Sequence, residues 1–166
     1  MSQPSGWLRA GKVGRPHGLD GAVYVGEPNL LLLEVGSQLR AGSAELHVTR
    51  RAGDHKRVII WFDECRDRPA AEALRGQQLL ASRVDAPALA REEWWAEDLE
   101  GCLVRDGSRP VGTVARMRSL PSCEILEVRR DPDAGDLLVP LISDAVRTVD
   151  LVRREIDVDL RFLGET

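Results

Sequence analysis

Side chains able to do chemistry are few in this sequence, and their spacing does not suit catalysis. The three histidines, His17, His47 and His55, all lie in the first half, and none is spaced from another as ligands on one element would be. Cys65, Cys102 and Cys123 are far apart, with no Cys-x-x-Cys pair, so neither a zinc site nor a disulfide framework is supported. No Gly-x-Ser-x-Gly elbow is present. Asp131-Pro132-Asp133-Ala134-Gly135-Asp136 has the look of a calcium loop but lacks the ligand spacing and the distal glutamate. Acid–base work needs buried, paired carboxylates. The acids of the second half instead fall in turns or at outward positions of alternating segments. The chemistry to expect is binding: no enzyme, no metal and no cofactor.

Three stretches carry binding potential. The first is Arg91-Glu92-Glu93-Trp94-Trp95-Ala96-Glu97-Asp98-Leu99-Glu100-Gly101, which holds two of the four tryptophans among many acids. Such a pair either packs across two domains or waits for a partner. The second is the turn Pro16-His17-Gly18-Leu19-Asp20-Gly21. No Gly-rich cradle opening a helix follows it, so it is neither a dinucleotide fingerprint nor a P-loop. It is a hairpin that needs glycine or a contact point. The third is the basic cluster Arg50, Arg51, His55, Lys56 and Arg57, either a solvated loop or a tip that reaches a nucleic-acid backbone.

The elements that must position these residues are short and mostly strands. Trp7–Arg15, Ala22–Val25, Ala44–Arg50, Lys56–Asp63 and Gln78–Val84 alternate or are apolar enough to be strands, and Leu30–Leu33 is a buried strand or helical turn. Asp67 to Gly76 has the punctuation of a short helix, with Asp67 as cap, Pro69 in the first turn and Gly76 closing the end. Ala70, Ala73 and Leu74 would share its buried face. In the second half, strands are expected over 98–105, 110–117, 123–129, 137–142, 146–152 and 156–160, with Pro140 marking an edge or a bulge. The fold class is therefore mainly β: two small antiparallel β-barrels joined by a short linker, with one short helix in the first. The domains are expected at 1–85 and 93–166, with the linker at 86–92.

Charge separates the halves. Residues 1–88 carry 12 Lys and Arg against 10 Asp and Glu, whereas residues 89–166 carry 11 against 17. The two halves should face different partners, and the acidic half is ill suited to polyanions. No leader pattern opens the chain, and the longest apolar run, Leu30 to Leu33, is far too short to span a bilayer. A cytoplasmic, monomeric protein without membrane contact is expected.

These stretches, in their order, resemble the bacterial ribosome maturation factor RimM family over nearly the whole chain. Gly11-Lys12-Val13-Gly14-Arg15-Pro16-His17-Gly18-Leu19-Asp20-Gly21 is similar to the family's opening strand and His-Gly-Leu-x-Gly turn. Ala70–Gly76 resembles its Ala-Glu-Ala-Leu-x-Gly segment, and Glu93–Gly101 its Glu-aromatic-aromatic segment ending in Asp-Leu-x-Gly. Leu138–Ile142, Val149–Leu151 and Ile156–Asp159 look like the closing strands of its PRC barrel. Departures are a short segment after Val25, Leu120-Pro121-Ser122 in place of a Gly-containing turn, a C-terminus without Pro-Gly, and Trp where Tyr is commoner at the seam.

The resemblance implies a translation-factor-like barrel and a PRC barrel. It also implies a non-enzymatic chaperone of ribosome biogenesis, acting in late small-subunit maturation and rRNA processing. The implied partners are the small-subunit precursor and the nineteenth protein of the small subunit, in the head. The expected protein-binding residues are Trp94, Trp95, Asp98 and Leu99. Lys12, Arg15, His17, Arg50, Arg51, Lys56 and Arg57 are the candidates for contact with rRNA or its neighbours. The main alternative is a free-standing RNA-binding β-barrel module; a PRC-barrel scaffold of another complex is the third.

Overall fold

The computed structural model describes residues 6–54 and 56–165, and the chain divides into two compact units, Met1–Ala90 and Arg91–Thr166. The first contains strands β1 (Trp7–His17), β2 (Ala22–Gly26), β3 (Gln38–Ala41), β4 (Ala44–Ala52), β5 (Val58–Phe62) and β6 (Gln78–Ser82), with helix α1 (Arg68–Leu74) before β6. They close into a barrel in the order β1-β2-β5-β4-β3-β6, all pairs antiparallel. Closure leaves no strand edge for another chain to pair with.

Alternation decides which side chains point inward. Along β5, Val58, Ile60 and Phe62 are buried while Ile59 and Trp61 are half-buried on the outside. Leu8, Val13, Val23, Leu39, Leu46 and Leu79 complete much of the same interior. Leu30–Leu32 is a single 3-10 turn capped by the Asn29 side chain, and the sixth strand is Gln38–Ala41 instead. Its Leu39 and Ala41 point inward while Gln38 and Arg40 are exposed, which is the two-residue period of a barrel strand.

Helix α1 follows its local signals. The Asp67 carboxylate accepts from the Ala70 N–H at 2.8 Å, Pro69 lies in the first turn, and Gly76 takes φ +85° beyond the end. Its buried residue, however, is Ala71; Ala70 and Leu74 are half-buried and Ala73 is exposed. With only seven residues, one small side chain is enough to seat it against the barrel.

The second unit opens with a helical turn, α2 (Ala96–Leu99). Strands β7 (Leu103–Asp106), β8 (Arg109–Ser119), β9 (Glu124–Arg129), β10 (Leu137–Pro140), β11 (Val146–Asp150) and β12 (Glu155–Val158) follow. They form one sheet in the order β10-β9-β8-β7-β12-β11, curled into a half-barrel whose end strands β10 and β11 do not pair. One pair, β7 with β12, is parallel, because the β11–β12 hairpin returns along the open side of β7. Pro140 ends an edge strand, where a missing N–H costs no ladder bond. Leu99, Cys102, Val104, Leu126, Val128 and Ile156 lie at the centre of the core.

The strand expected from Asp98 starts only at Leu103. Trp95 is extended at φ −75° and ψ 140°, and the chain then coils with Glu97 and Asp98 in the first turn, where carboxylates favour the exposed N–H groups. Gly101, at φ +85°, ends the coil and leads into β7.

Candidate functional site

Two places hold the residues singled out above. In the second unit, α2 is stitched to the sheet on both sides. The Gly101 N–H donates to the Val114 carbonyl at 2.8 Å, and the Arg154 guanidinium donates to the Glu100 carbonyl at 2.7 Å. The Asp98 carbonyl accepts from the Cys102 thiol, whose pKa is pushed up by burial. Leu99 has no exposed surface and belongs to the core, so its side chain is not available to a partner. Its apolar body closes α2 against the sheet.

The two tryptophans differ. Trp95 is 8 % exposed. Trp94 is half-buried and packs one side against the core of the second unit, leaving part of the indole at the surface. Asp98 is half-buried. Beside this segment lies a residue that spacing did not single out. Burial raises the pKa of the Glu124 carboxyl, and the neighbouring Glu93 carboxylate raises it further. Two acids brought together from 31 positions apart are visible only once β9 is placed.

In the first unit, the outer face of β1, β2, β5 and β4 gathers cations and aromatic rings. Register sets Tyr24 opposite Ile59 and Trp61 opposite Arg50. The Arg50 guanidinium lies 4.4 Å from the Trp61 ring centre, and those of Arg15 and Arg57 lie 4.9 and 5.5 Å from that of Tyr24. His17, at the end of β1, meets both rings edge-on, and its Nδ1 is hydrogen-bonded to the Tyr24 hydroxyl at 2.8 Å. The Trp61 indole N–H donates to Asp20 at 3.1 Å. Tyr24 and Trp61 were not expected here, because only strand register unites positions so far apart in sequence, whereas Asp20 lies in the turn already singled out with His17.

The other expected basic residues are placed differently. Arg51 turns inward: its Nη1 donates to the carbonyls of Leu30 (3.0 Å) and Leu33 (3.3 Å) and stands 3.6 Å from Glu34. It ties down the 3-10 turn, so the expectation of an RNA-facing Arg51 gives way to a structural role. Lys12 is exposed on β1. Lys56 is exposed in the β4–β5 turn, where its backbone N–H donates to Asp54. His55 lies outside the described residues. His47 is paired with Glu64 at 2.6 Å. Among the described residues, no group of three His, Cys, Asp or Glu is placed to hold a metal ion, and no helix is long and apolar enough to cross a membrane.

Comparison with known proteins covers both units. A family model described as the RimM N-terminal domain matches residues 8–86, and one described as the RimM PRC barrel domain matches residues 96–162. Ribosome maturation factor RimM of Frankia casuarinae is 33 % identical, over 90 % of this chain and 91 % of its own. That of Frankia alni is 32 % identical, over 96 % and 95 %. A RimM crystal structure from Pseudomonas aeruginosa aligns with 92 % of this chain and 96 % of its own, at 21 % identity and a TM-score of 0.43. With both domain models matched in order and relatives alike along nearly their whole length, the chain belongs to the ribosome maturation factor RimM family.

Proposed function

We propose that this protein is a non-catalytic assembly chaperone of the small ribosomal subunit. It binds the nineteenth small-subunit protein, in the head, and assists late maturation of the subunit and processing of its rRNA. It acts in the cytoplasm, as a monomer. The second unit holds the protein partner through Trp94, with Trp95 and Asp98 fixing the segment beneath it. The first unit touches rRNA or its neighbours through Lys12, Arg15, His17, Arg50, Lys56 and Arg57.

The observation that carries the protein-binding half is the partly exposed indole of Trp94 in a strongly acidic unit, next in sequence to Glu93, whose carboxylate neighbours Glu124. Small-subunit proteins are generally basic, so opposite charge would steer encounter while the indole supplies the apolar anchor. Such attraction fades with salt.

The test is co-sedimentation from lysate, comparing small-subunit precursors with mature subunits. Association with precursors and release from mature particles is the expected result. Equal association with both, or with neither, would overturn the reading. Titration with the purified head protein then checks the partner, and an association rate indifferent to salt would count against electrostatic steering.

A further inference from the structure

We propose that the outer face of β1, β2, β5 and β4 is a phosphodiester-binding array that takes a segment of RNA. Its arginines are held ready by aromatic shelves. This deepens, and rests on, the reading of the chain as a factor acting on ribosomal precursors.

The shelves are rigid. Tyr24 is pinned through its hydroxyl to His17, and Trp61 through its indole N–H to Asp20. His17 wedges edge-on against both rings, at centre distances of 5.2 and 6.2 Å. The turn bearing His17 and Asp20 is itself fastened, since Arg68 of α1 donates to the Gly18 carbonyl at 3.0 Å. Onto these rings lie the guanidinia of Arg15, Arg50 and Arg57. A stacked guanidinium uses its face and keeps its N–H donors in plane, as a fork for phosphate oxygens.

The charges remain available. Among the described residues, the guanidinia of Arg15, Arg50 and Arg57 make no ion pair or hydrogen bond, whereas those of Arg51, Arg66 and Arg75 of the same unit each meet a carboxylate. Of the nearby acids, Asp20 accepts from the Trp61 indole and Asp54 from the backbone N–H groups of Lys56 and Arg57. With the rings already covered by guanidinia, the face suits a nucleic-acid backbone better than stacked bases. Three guanidinia without a carboxylate partner are complementary to a polyanion, and the salt slope of binding separates RNA from a protein partner.

The experiment uses the full chain and fluorescence anisotropy with about 20-nucleotide RNA, single-stranded and duplex, across a salt series. Replacing Arg15, Arg50 and Arg57 together by Ala should weaken binding at least ~10-fold and reduce the slope of log affinity against log salt by about 2 to 3, whatever the sequence. A folded triple variant with wild-type affinity and slope would overturn the array. So would a triple variant that loses only the capture of an acidic protein.

A second variant, Tyr24→Leu with Trp61→Leu, keeps all three charges and removes the shelves. It should bind several-fold more weakly with a nearly unchanged slope; wild-type affinity there would overturn the stacking. Sedimentation with precursors separates the two claims. Precursor binding by a triple variant with undiminished affinity for naked RNA sinks the array alone. A wild type that binds RNA through these arginines but never precursors sinks the functional reading alone.

Discussion

The Cys65 thiol donates to the Gly21 carbonyl at 3.3 Å, and the two backbones run so close that a Cβ on Gly21 would collide with the Cys65 carbonyl. Gly21 also sits at φ +92°, where an L side chain is strained. This contact fastens the turn after β1 to the segment leading into α1, and the turn carries Asp20 on to Trp61 and follows His17.

Gly21→Ala should therefore destabilise the first unit by at least ~2 kcal/mol, from strain and backbone overlap together. Denaturant unfolding followed by tryptophan fluorescence measures it. Gly36, also at positive φ, has open space around its would-be Cβ, so Gly36→Ala should cost only the backbone strain, about 1–2 kcal/mol. A Gly21→Ala protein as stable as Gly36→Ala would contradict the clamp.

Arg51 and Arg50 are neighbours in sequence with opposite orientations. Arg51→Ala removes two charge-assisted hydrogen bonds to the carbonyls of Leu30 and Leu33 in a partly buried setting and should cost about 1–2 kcal/mol of stability. Arg50→Ala removes only a side chain stacked on an outer-face ring, and should cost about 1 kcal/mol or less. Chemical denaturation of both variants checks the order, and the reverse order would contradict the placement.

The sequence makes local physics legible and non-local geometry opaque. The cap at Asp67, the proline in the first turn and the glycine past the end define α1 within ten residues, as does the two-residue period of β4. Leu30–Leu33 drew attention because it is apolar, yet β3 lies eight residues later in Gln38-Leu39-Arg40-Ala41, where only two side chains point inward. The parallel pairing of β7 with β12 joins Leu103 to Glu155 and has no local signature. Tyr24 and Trp61 could not be grouped for the same reason: β2 and β5 are neighbours only after the barrel closes. Leu99 was expected among the binding residues, but it is enclosed by core residues from distant strands, and that enclosure has no local signature.

The two seam tryptophans should separate under mutation. A buried indole hides roughly 150–250 Å² of surface. Trp95, at 8 % exposed, should reveal itself in stability: Trp95→Ala should cost about 3–5 kcal/mol. Trp94 is half-buried, so Trp94→Ala should lose less stability and more partner. An anchor of this type contributes ~2 kcal/mol or more, or ~30-fold in affinity for the head protein. Calorimetric titration of the folded Trp94→Ala protein decides, and wild-type affinity would remove the tryptophan from the binding surface.

Glu124 supplies a pH dependence whose sign follows from its surroundings. Burial, then the Glu93 carboxylate, hold its pKa above the ordinary glutamate value. In the window between those two values the folded chain binds more protons than the unfolded one, so stability falls as pH rises through it. Below the window both states are protonated, and the penalty is absent. Glu124→Gln keeps the shape and removes the charge. It should match the wild type in acid and exceed it at neutral pH, by a margin that Glu93→Gln reproduces in part, since Glu93 is the lesser cause. Unfolding midpoints of the three proteins from pH 4 to pH 7 read this directly. A Glu124→Gln midpoint that tracks the wild type across the range would mean that Glu124 ionises without penalty in the fold.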